Sequence, residues 1–502
     1  MRAAAGWVTG WTLVGMAVLG YHPYAEDGGL YVAEIKHAID PTLYPWGTEF
    51  VAGHLGFAGF TGVVAWLVKG VGIPPDWALL GLYGLCLWGM LLGVWLIAGR
   101  CYGSRRAQVG AVGLVAVWLG LPVGGSSLYI ADPYLTARSV AVALTVLGLA
   151  AGMARRWGWA CVALGAAVAV HPLMGGYGVV EVVVLWCVLP RLGAVEPTSQ
   201  RRDVGHPVLL AVLGCGALVF AGVAQGFAPR ESREYVRVAI TRYYWFLSEW
   251  HWFEWVGILA PMVILGVVAV KARRDGVKTL AWMAVGVGVM GMMVALLFAR
   301  EGAAVHLVAR LQPLRMLQMV YLMMALVMGG ALGERVLQGV VWRWVGVFGV
   351  LAGAMVMVAR ATYPGSDAME LPWVQPRNAW VRAFVWAREN TPKDALFAID
   401  ADYVHWDGED AQGFRAIAER SVLPDAAKDG GIASIRPELV EAWSLGEKAQ
   451  AGLTRKNDAE RVAAVGGLGT GWVVLGREGR TGFDCPYENA RLRVCRLPGR
   501  GE

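Results

Sequence analysis

The sequence predicts an all-α polytopic transmembrane bundle of about 11–12 helices, followed by a small extracytoplasmic α/β domain. Two observations predict this fold class. Hydrophobic residues make up 57% of the 502 residues and charged residues only 16%, whereas a soluble domain has about a quarter charged residues. Apolar runs of about 18 residues, typical of membrane-spanning helices, recur up to residue 360. The composition then becomes polar.

These runs divide the chain into a multi-span region, 1–361, and a C-terminal region, 362–502. Many further runs follow the first one, and no small-residue cleavage site does, so we expect a retained helix rather than a secretory signal. The runs cover residues 3–20, 51–72, 77–99, 107–122, 138–153, 158–173, 174–190, 207–226, 253–270, 279–298, 315–333 and 341–360.

The C-terminal region combines helical and strand patterns, which suit a small sheet with flanking helices. Cys485 and Cys495 lie in this region and could form a disulfide if it occupies an oxidising compartment. The predicted helices cover 378–390 and 437–453, and the predicted strands cover 395–400, 472–476 and 491–497.

Clusters of lysine and arginine between the runs predict the orientation, because cytoplasmic loops are enriched in these residues. If successive runs from Arg100 onward cross the membrane in alternating directions, all these clusters are cytoplasmic. The protein is then expected in a bacterial inner membrane with its N-terminus on the cytoplasmic side. The net charge of +6 therefore reflects topology signals and does not indicate nucleic acid. The periplasmic parts are then loops 21–50, 123–137, 227–251 and 299–314 and the C-terminal region.

One conflict remains between residue 50, placed outside, and Arg100, placed inside. Two apolar runs separate them, although an odd number of crossings is required. Either the run 51–72 is re-entrant or interfacial, or the Arg100 cluster violates the rule, and the first is favoured. Segments 28–40 and 227–251 are predicted to form helices that lie in the membrane interface.

The adjacent carboxylates Glu26 and Asp27 follow the first apolar run directly. Charges near a membrane are costly and usually mark a site, so the pair is a candidate general base or metal-binding pair. A solvated turn is the alternative, because Asp-Gly-Gly is a turn sequence. With His22 and His54 the pair could bind a divalent metal ion, although the spacing matches no standard motif. Metal use is left open.

Asp132 and His171 belong to the same predicted outer layer. Asp132 is followed by Pro133, which is typical of a helix N-cap with proline at the first helical position. It could equally provide a second acidic group of the site, and the two roles are compatible. His171 precedes Pro172 near the outer end of an apolar stretch, where it would either face the site or serve a structural role.

Arginines on the outer side oppose the positive-inside trend and require an explanation. Guanidinium groups match phosphate oxygens in a bidentate manner, so an anionic lipid-phosphate substrate would supply one. Contact with lipid headgroups is the alternative. The arginines considered as phosphate ligands are Arg138, Arg310 and Arg315.

The segment Glu26-Asp27-Gly-Gly-Leu-Tyr-Val-Ala-Glu-Ile-Lys, with Asp40-Pro-Thr-Leu-Tyr-Pro, resembles the first outer loop of GT-C superfamily membrane glycosyltransferases. Within that superfamily it is similar to the dolichyl-phosphate mannose and aminoarabinose transferases. The motif similarity covers roughly the first fifty residues, and the similarity in layout covers the multi-span region. A GT-C-like fold is what this resemblance implies.

The resemblance also implies a lipid-linked, polyprenyl-phosphate sugar donor, transfer to an unknown acceptor on the outer face, and inversion at the sugar carbon. Asp27 or Glu26 would deprotonate the acceptor hydroxyl, and Asp132 would match a second outer-loop acid. Arg310 or Arg315 would hold the donor phosphate. A lipid or saccharide transporter and a non-catalytic scaffold remain the alternatives. A transporter predicts charges near the membrane midplane, whereas these charges cluster at the outer edge.

Overall fold

The computed structural model describes residues 2–52, 59–189 and 205–498. His54, a predicted metal ligand, lies outside the described residues. The multi-span region contains helices α1 (Arg2–Leu19), α2 (Asp27–Ile39), α3 (Glu49–Ala52), α4 (Phe60–Val71), α5 (Pro75–Cys101), α6 (Arg105–Val117), α7 (Ala137–Met153), α8 (Trp157–Val170), α9 (Pro172–Val188), α10 (Gly205–Phe227), α11 (Arg233–Ile240), α12 (Trp252–Lys271), α13 (Asp275–Phe298), α14 (Leu307–Leu311), α15 (Leu317–Leu332) and α16 (Val341–Thr362).

Five helical segments in the described ranges are long and apolar enough to cross a membrane. Shorter apolar helices accompany them, including α1, α7, α8 and α9. The predicted multi-pass helical bundle is thereby confirmed as a class, while the number of 11–12 crossings stays a prediction. The five segments are Pro75–Cys101, Trp252–Lys271, Asp275–Phe298, Leu307–Leu337 and Val341–Thr362.

Helix α4 bears on the crossing conflict between residue 50 and Arg100. It has 12 residues, so at about 1.5 Å per residue it extends roughly 18 Å, well short of the ~30 Å hydrocarbon core. Residues 53–58 of the run 51–72 lie outside the described residues, so the number of crossings between residue 50 and Arg100 stays a prediction.

Glycines allow the buried helices to approach closely. A side chain at Gly110 of α6 would overlap the carbonyl oxygen of Gly329 on α15, and a side chain at Gly175 of α9 would overlap the backbone at Val168 of α8. Small residues at such crossings are typical of helix packing in membranes. The abundance of glycine in the apolar runs therefore reflects packing between helices.

The C-terminal region contains a small sheet with flanking helices, as predicted, and this sheet has five strands, two more than the sequence indicated. The strand order is β2-β1-β3-β5-β4, in which β1 pairs parallel with β2 and β3, and β5 pairs antiparallel with β3 and β4. Cys485 and Cys495 form a disulfide. The elements are α17 (Ala379–Asn390), β1 (Leu396–Ile399), α18 (Phe414–Ala418), β2 (Ser421–Val422), α19 (Lys428–Ile435), α20 (Val440–Gln450), α21 (Asp458–Val465), β3 (Trp472–Gly476), β4 (Tyr487–Glu488) and β5 (Leu492–Arg496).

The C-terminal region packs on the loop 21–50 and forms hydrogen bonds with it. The amide of Gly413 donates to the carbonyl oxygen of Tyr24 at 2.8 Å, and the Tyr44 hydroxyl donates to the carbonyl oxygen of Arg415 at 2.9 Å. Helix α2 is largely buried. The prediction that segment 28–40 lies in the membrane interface is therefore wrong, because the C-terminal region covers it.

Segment 227–251 forms only the eight-residue helix α11 and two short 3₁₀ turns. Tyr235, Val238 and Ala239 form its buried face. The Tyr235 hydroxyl donates to the carbonyl oxygen of Ser434 in α19 at 2.8 Å. This helix, predicted to be interfacial, joins the multi-span region to the C-terminal region.

Candidate functional site

The acidic pair lies at the start of α2 and not in a solvated turn. Glu26 occupies the N-cap position with φ 53°, and Asp27 is the first helical residue. An acidic residue in the first turn is favoured by the helix dipole. The turn interpretation of Asp-Gly-Gly is therefore wrong, because both glycines continue the helix.

The two glycines after the pair are required by close packing. A Cβ at Gly28 would lie 2.7 Å from the carbonyl oxygen of Pro23 and 3.0 Å from the Tyr134 side chain. A Cβ at Gly29 would lie 2.9 Å from the Cα of Gly413. The start of α2 is therefore held between the loop that carries Asp132 and the C-terminal region.

Arg138 connects the two predicted acidic groups. Its Nη1 donates to Asp27 Oδ2 at 3.2 Å. Its Nη2 and Nε donate to Asp132 Oδ2 at 2.8 and 3.1 Å. Arg138 and Asp132 are buried, whereas the Asp27 side chain is 36% exposed. Asp27 is thus the carboxylate of this cluster that a substrate can reach.

Asp132 is held as a partner of Arg138 and does not cap the next helix. Thr136 caps α7, because its hydroxyl accepts from the amide of Ser139, so the N-cap interpretation of Asp132 is wrong. Burial raises the pKa of Asp132, and the positive charge of Arg138 opposes that shift. In this buried position Asp132 holds Arg138, and its role as a second acidic group of the site stays a prediction.

Lys428 pairs with Glu26 from the first turn of α19. Burial alone would lower the pKa of Lys428, but the charges of Glu26 and Asp27 outweigh burial and raise it above its ordinary value. Glu26, Asp425 and Lys428 line a cavity of about 500 Å³ between α2 and the C-terminal region. The C-terminal region therefore supplies a cation to the acidic pair.

Arg315 lies within electrostatic range of this cluster at the start of α15. Its charge interacts with those of Asp27 and Arg138. Among the described residues its Nε has no hydrogen-bond partner, and none of their carboxylates forms an ion pair with it. A partly buried guanidinium group that forms no ion pair with a described carboxylate is suited to bind an anionic group of a substrate.

Arg310, the alternative phosphate ligand, has partners within the protein. Its Nη2 donates to Glu231 Oε1 at 3.1 Å, and its Nε donates to the Tyr235 hydroxyl at 3.1 Å. His306 Nδ1 lies 2.7 Å from the other oxygen of Glu231. Arg310 is thus engaged by Glu231 and Tyr235 within the protein, whereas Arg315 forms no ion pair with a described carboxylate.

His171 caps α9 by accepting from the amide of Met174 at Nδ1, 3.2 Å away. This is the structural role that the sequence allowed, and the role of His171 in substrate binding stays a prediction.

A metal site receives no support from the predicted ligands. Glu26 pairs with Lys428 and Asp27 with Arg138, while His22 is buried and faces Glu370. Within the described ranges, no group of three or more His, Cys, Asp or Glu side chains is placed to hold a metal ion. Metal binding by Glu26, Asp27 and His54 therefore stays a prediction, and the proposed mechanism uses no metal ion.

Sequence reasoning missed Lys428. It is 402 positions from Glu26 and carries no local motif, so only the tertiary fold reveals the pairing. The lysine at the start of α19 follows two alanines in a stretch that otherwise resembles a helix start. No pattern in the sequence links it to the membrane region.

No family model and no curated protein matches the chain. Two solved structures of the arabinofuranosyltransferase AftD from Mycobacteria are similar, one of them of a mutant, with TM-scores of 0.46 and 0.49 and identities of 12% and 13%. They cover 100% and 99% of this chain, which spans only 40% and 42% of theirs.

Both neighbours are glycosyltransferases by description, the class of protein that the GT-C resemblance indicated. At TM-scores below 0.5 this likeness carries no functional conclusion for the present chain.

Proposed function

We propose that the protein is a membrane glycosyltransferase. In this proposal it moves a sugar from a polyprenyl-phosphate donor to an acceptor hydroxyl at the outer face of a bacterial inner membrane. The observation that carries the proposal is the partly exposed Asp27 carboxylate, which Arg138 holds within electrostatic range of Arg315. Among the described residues, no carboxylate forms an ion pair with Arg315. A base beside an anion-binding group is what transfer from a sugar phosphate requires.

The proposed reaction is one displacement at the anomeric carbon. The acceptor oxygen forms a bond to that carbon while the bond from carbon to the phosphate oxygen breaks, and the electron pair leaves with the phosphate. The acceptor proton passes to Asp27, which acts as general base. Arg315 stabilises the charge that develops on the leaving phosphate. Attack opposite the leaving group inverts the sugar carbon.

The remaining polar groups have supporting roles in this mechanism. Arg138 fixes the orientation of Asp27, and Asp132 holds Arg138 through two of its nitrogen atoms. Lys428 pairs with Glu26 and lies within electrostatic range of Asp27, so it balances part of the negative charge of the acidic pair. The Cys485–Cys495 disulfide supports an oxidising, periplasmic location of the C-terminal region, because disulfides persist in such compartments.

The test compares Asp27→Asn and Glu26→Gln in purified protein reconstituted in lipid. Release of polyprenyl phosphate from a panel of synthetic polyprenyl-phosphate sugars is measured in the presence of saccharide acceptors. We expect Asp27→Asn to reduce transfer by about 10²–10⁴-fold, the range for loss of a general base. Glu26→Gln removes a partly exposed ion pair and should cost about fivefold or less.

The matched control is Glu49→Gln, which neutralises an exposed acid in the same loop. It should leave transfer unchanged. Thermal unfolding of each variant separates loss of activity from loss of fold. Full transfer by Asp27→Asn would refute the base proposed here.

A further inference from the structure

A second cavity, of about 1090 Å³, opens beside the segment that leads to the acidic pair. It lies between the start of α5, the segment 367–376 and α17. Its wall is fixed by backbone pairing: the Tyr21 amide donates to the carbonyl oxygen of Ala368 at 3.0 Å, and the Glu370 amide donates to that of Tyr21 at 2.8 Å. The proposed mechanism does not use this cavity.

Unsatisfied polar atoms line this cavity. Tyr21 is 1% exposed, and its hydroxyl has no hydrogen-bond partner among the described residues. Oδ1 of Asp76 also lacks a partner within the described ranges. A buried polar group left unpaired costs about 1–3 kcal/mol, and such groups are almost always satisfied. These atoms are therefore placed to bond a polar ligand.

The charge of the cavity is negative. Asp76, Asp367, Glu370 and Glu389 contribute carboxylates, and Arg388 is the basic residue of the lining. Such a lining repels anions and accepts hydrogen bonds from hydroxyl or ammonium groups. An anionic substrate such as a phosphate is therefore disfavoured here, in contrast to the Arg315 side of the molecule.

An aromatic surface completes the cavity. Trp373 lines it and is stacked on Trp77, with ring centroids 4.8 Å apart and an interplanar angle of 26°. Both rings remain about half exposed. A large ring held by a second ring offers a flat apolar surface at little entropic cost, and the neighbouring carboxylates offer acceptors. Ligand sites combine apolar surface with a few convergent polar groups in this way.

We propose that this cavity binds a neutral or amine-bearing saccharide, whose C–H face packs on Trp373 and whose hydroxyl groups donate to Asp76 and Glu370. The free Tyr21 hydroxyl donates to or accepts from the same ligand. Tyr24 also lines the cavity.

The cavity is close enough to the acidic pair to serve as an acceptor subsite. Asp27 follows Tyr21 by six positions, which limits the distance between their Cα atoms to roughly 20 Å. An oligosaccharide of a few residues bridges that length. The assignment as acceptor subsite rests on the proposed glycosyl transfer, whereas saccharide binding itself does not.

The experiment measures binding to the full chain in lipid nanodiscs by saturation-transfer NMR. The probes are a neutral mannotriose, a glucosamine trimer and an acidic galacturonic acid trimer. We expect binding of the first two and not of the third. Trp373→Ala and Asp76→Asn should each weaken binding by about tenfold or more, a change of about 1.4 kcal/mol.

Two controls match these variants. Trp342→Ala removes an exposed tryptophan of α16, and Asp275→Asn removes a first-turn acid of α13; both should bind like the wild type. Absence of binding by the wild type, binding unaffected by both test variants, or preference for the acidic trimer would overturn the proposal. Binding of Ca²⁺ alone, lost in Asp76→Asn, without saccharide binding would also overturn it.

Asp27→Asn separates this inference from the proposed function. Saccharide binding with loss of transfer supports both. If Asp27→Asn loses transfer but the wild-type protein binds no saccharide, the proposed base is supported and the saccharide site is refuted. Full transfer with intact binding refutes the base and leaves the saccharide site standing.

Discussion

Two clusters of ionisable groups hold loops of the multi-span region, and their composition is opposite. In the Asp27 cluster (Asp27, Asp132 and Arg138) one guanidinium group serves two carboxylates. In the Glu231 cluster (Glu231, His306 and Arg310) one carboxylate accepts from two nitrogen-bearing side chains.

The two clusters also differ in the solvent exposure of their carboxylates. The Asp27 side chain is 36% exposed, whereas the side chains of Glu231 and His306 are 9% and 0% exposed. The Glu231 carboxylate accepts from two side chains and is buried, so it can only hold loops together. The Asp27 carboxylate shares its donor with Asp132 and is exposed to solvent, so it can still accept a proton. This difference in exposure is why we propose a catalytic role for the Asp27 cluster and a structural role for the Glu231 cluster.

Removing the shared cation should have the largest effect on stability. Arg138→Gln leaves Asp132 buried without its partner, and breaking a buried pair costs about 3–5 kcal/mol. Denaturant or thermal unfolding should show this loss. The double variant with Asp132→Asn should recover part of it, because the orphaned charge is gone. Arg273→Gln, an exposed arginine, is the control. A single variant as stable as the wild type would contradict the assigned role of Arg138.

Arg315→Gln should reduce transfer strongly with little change in stability. Loss of a group that stabilises charge in the transition state costs about 10²–10³-fold in rate. No described carboxylate forms an ion pair with Arg315. The substitution therefore leaves no described carboxylate without its cation, and the free energy of unfolding should change little. The comparison is Arg310→Gln, which should leave transfer per folded molecule unchanged. The reverse pattern would move the phosphate site to the Glu231 cluster.

Glu231→Gln probes the structural cluster directly. The change removes an ionic acceptor from His306 and Arg310 and should destabilise the fold by about 1–3 kcal/mol. Transfer, normalised to folded protein, should stay at the wild-type level. A large loss of normalised transfer would remove the distinction between the two clusters.

The raised pKa of Asp425 leads us to expect a small dependence of folding stability on pH. Burial first, and then the charge of Asp429, raises the pKa of Asp425 to about 7. The folded state therefore binds this proton more tightly than the unfolded state does. The stability from this group is fully present below about pH 4 and is lost as the pH rises through 7, at up to about 1.4 kcal/mol per pH unit.

Asp425→Asn should flatten the dependence of unfolding free energy on pH between about 4 and 7. Asp402→Asn, an exposed acid of the same region, should not. An identical pH profile for wild type and Asp425→Asn would show that Asp425 does not titrate in this range.

Local signals in the sequence predicted most of the elements. The strand 472–476 and the helix 378–390 follow from runs of apolar residues and from the Asn378 cap, which are determined by adjacent residues. Asp27, Asp132 and Arg138 could be named as candidates for the same reason. Their sharing of one guanidinium group could not be predicted, because 111 positions separate Asp27 from Arg138.

The errors have a common cause. Asp132-Pro133 matches a helix start, yet Thr136 provides the cap because Arg138 binds the Asp132 carboxylate. Segment 28–40 has an interfacial pattern, yet the C-terminal region covers it. In each case a contact with a residue distant in sequence outweighed the local sequence preference. Lys428 was missed for the same reason, because its partner Glu26 is distant in sequence.

The pairing of Glu26 with Lys428 also sets an order of events during synthesis. With 402 positions between the partners and a translation rate of about 5–20 residues per second, roughly 20–80 s pass before the lysine exists. During that interval the membrane helices can insert while the acidic pair still lacks its cation. The complete constellation therefore forms only after the chain has been made and its final region has folded back onto the first loop.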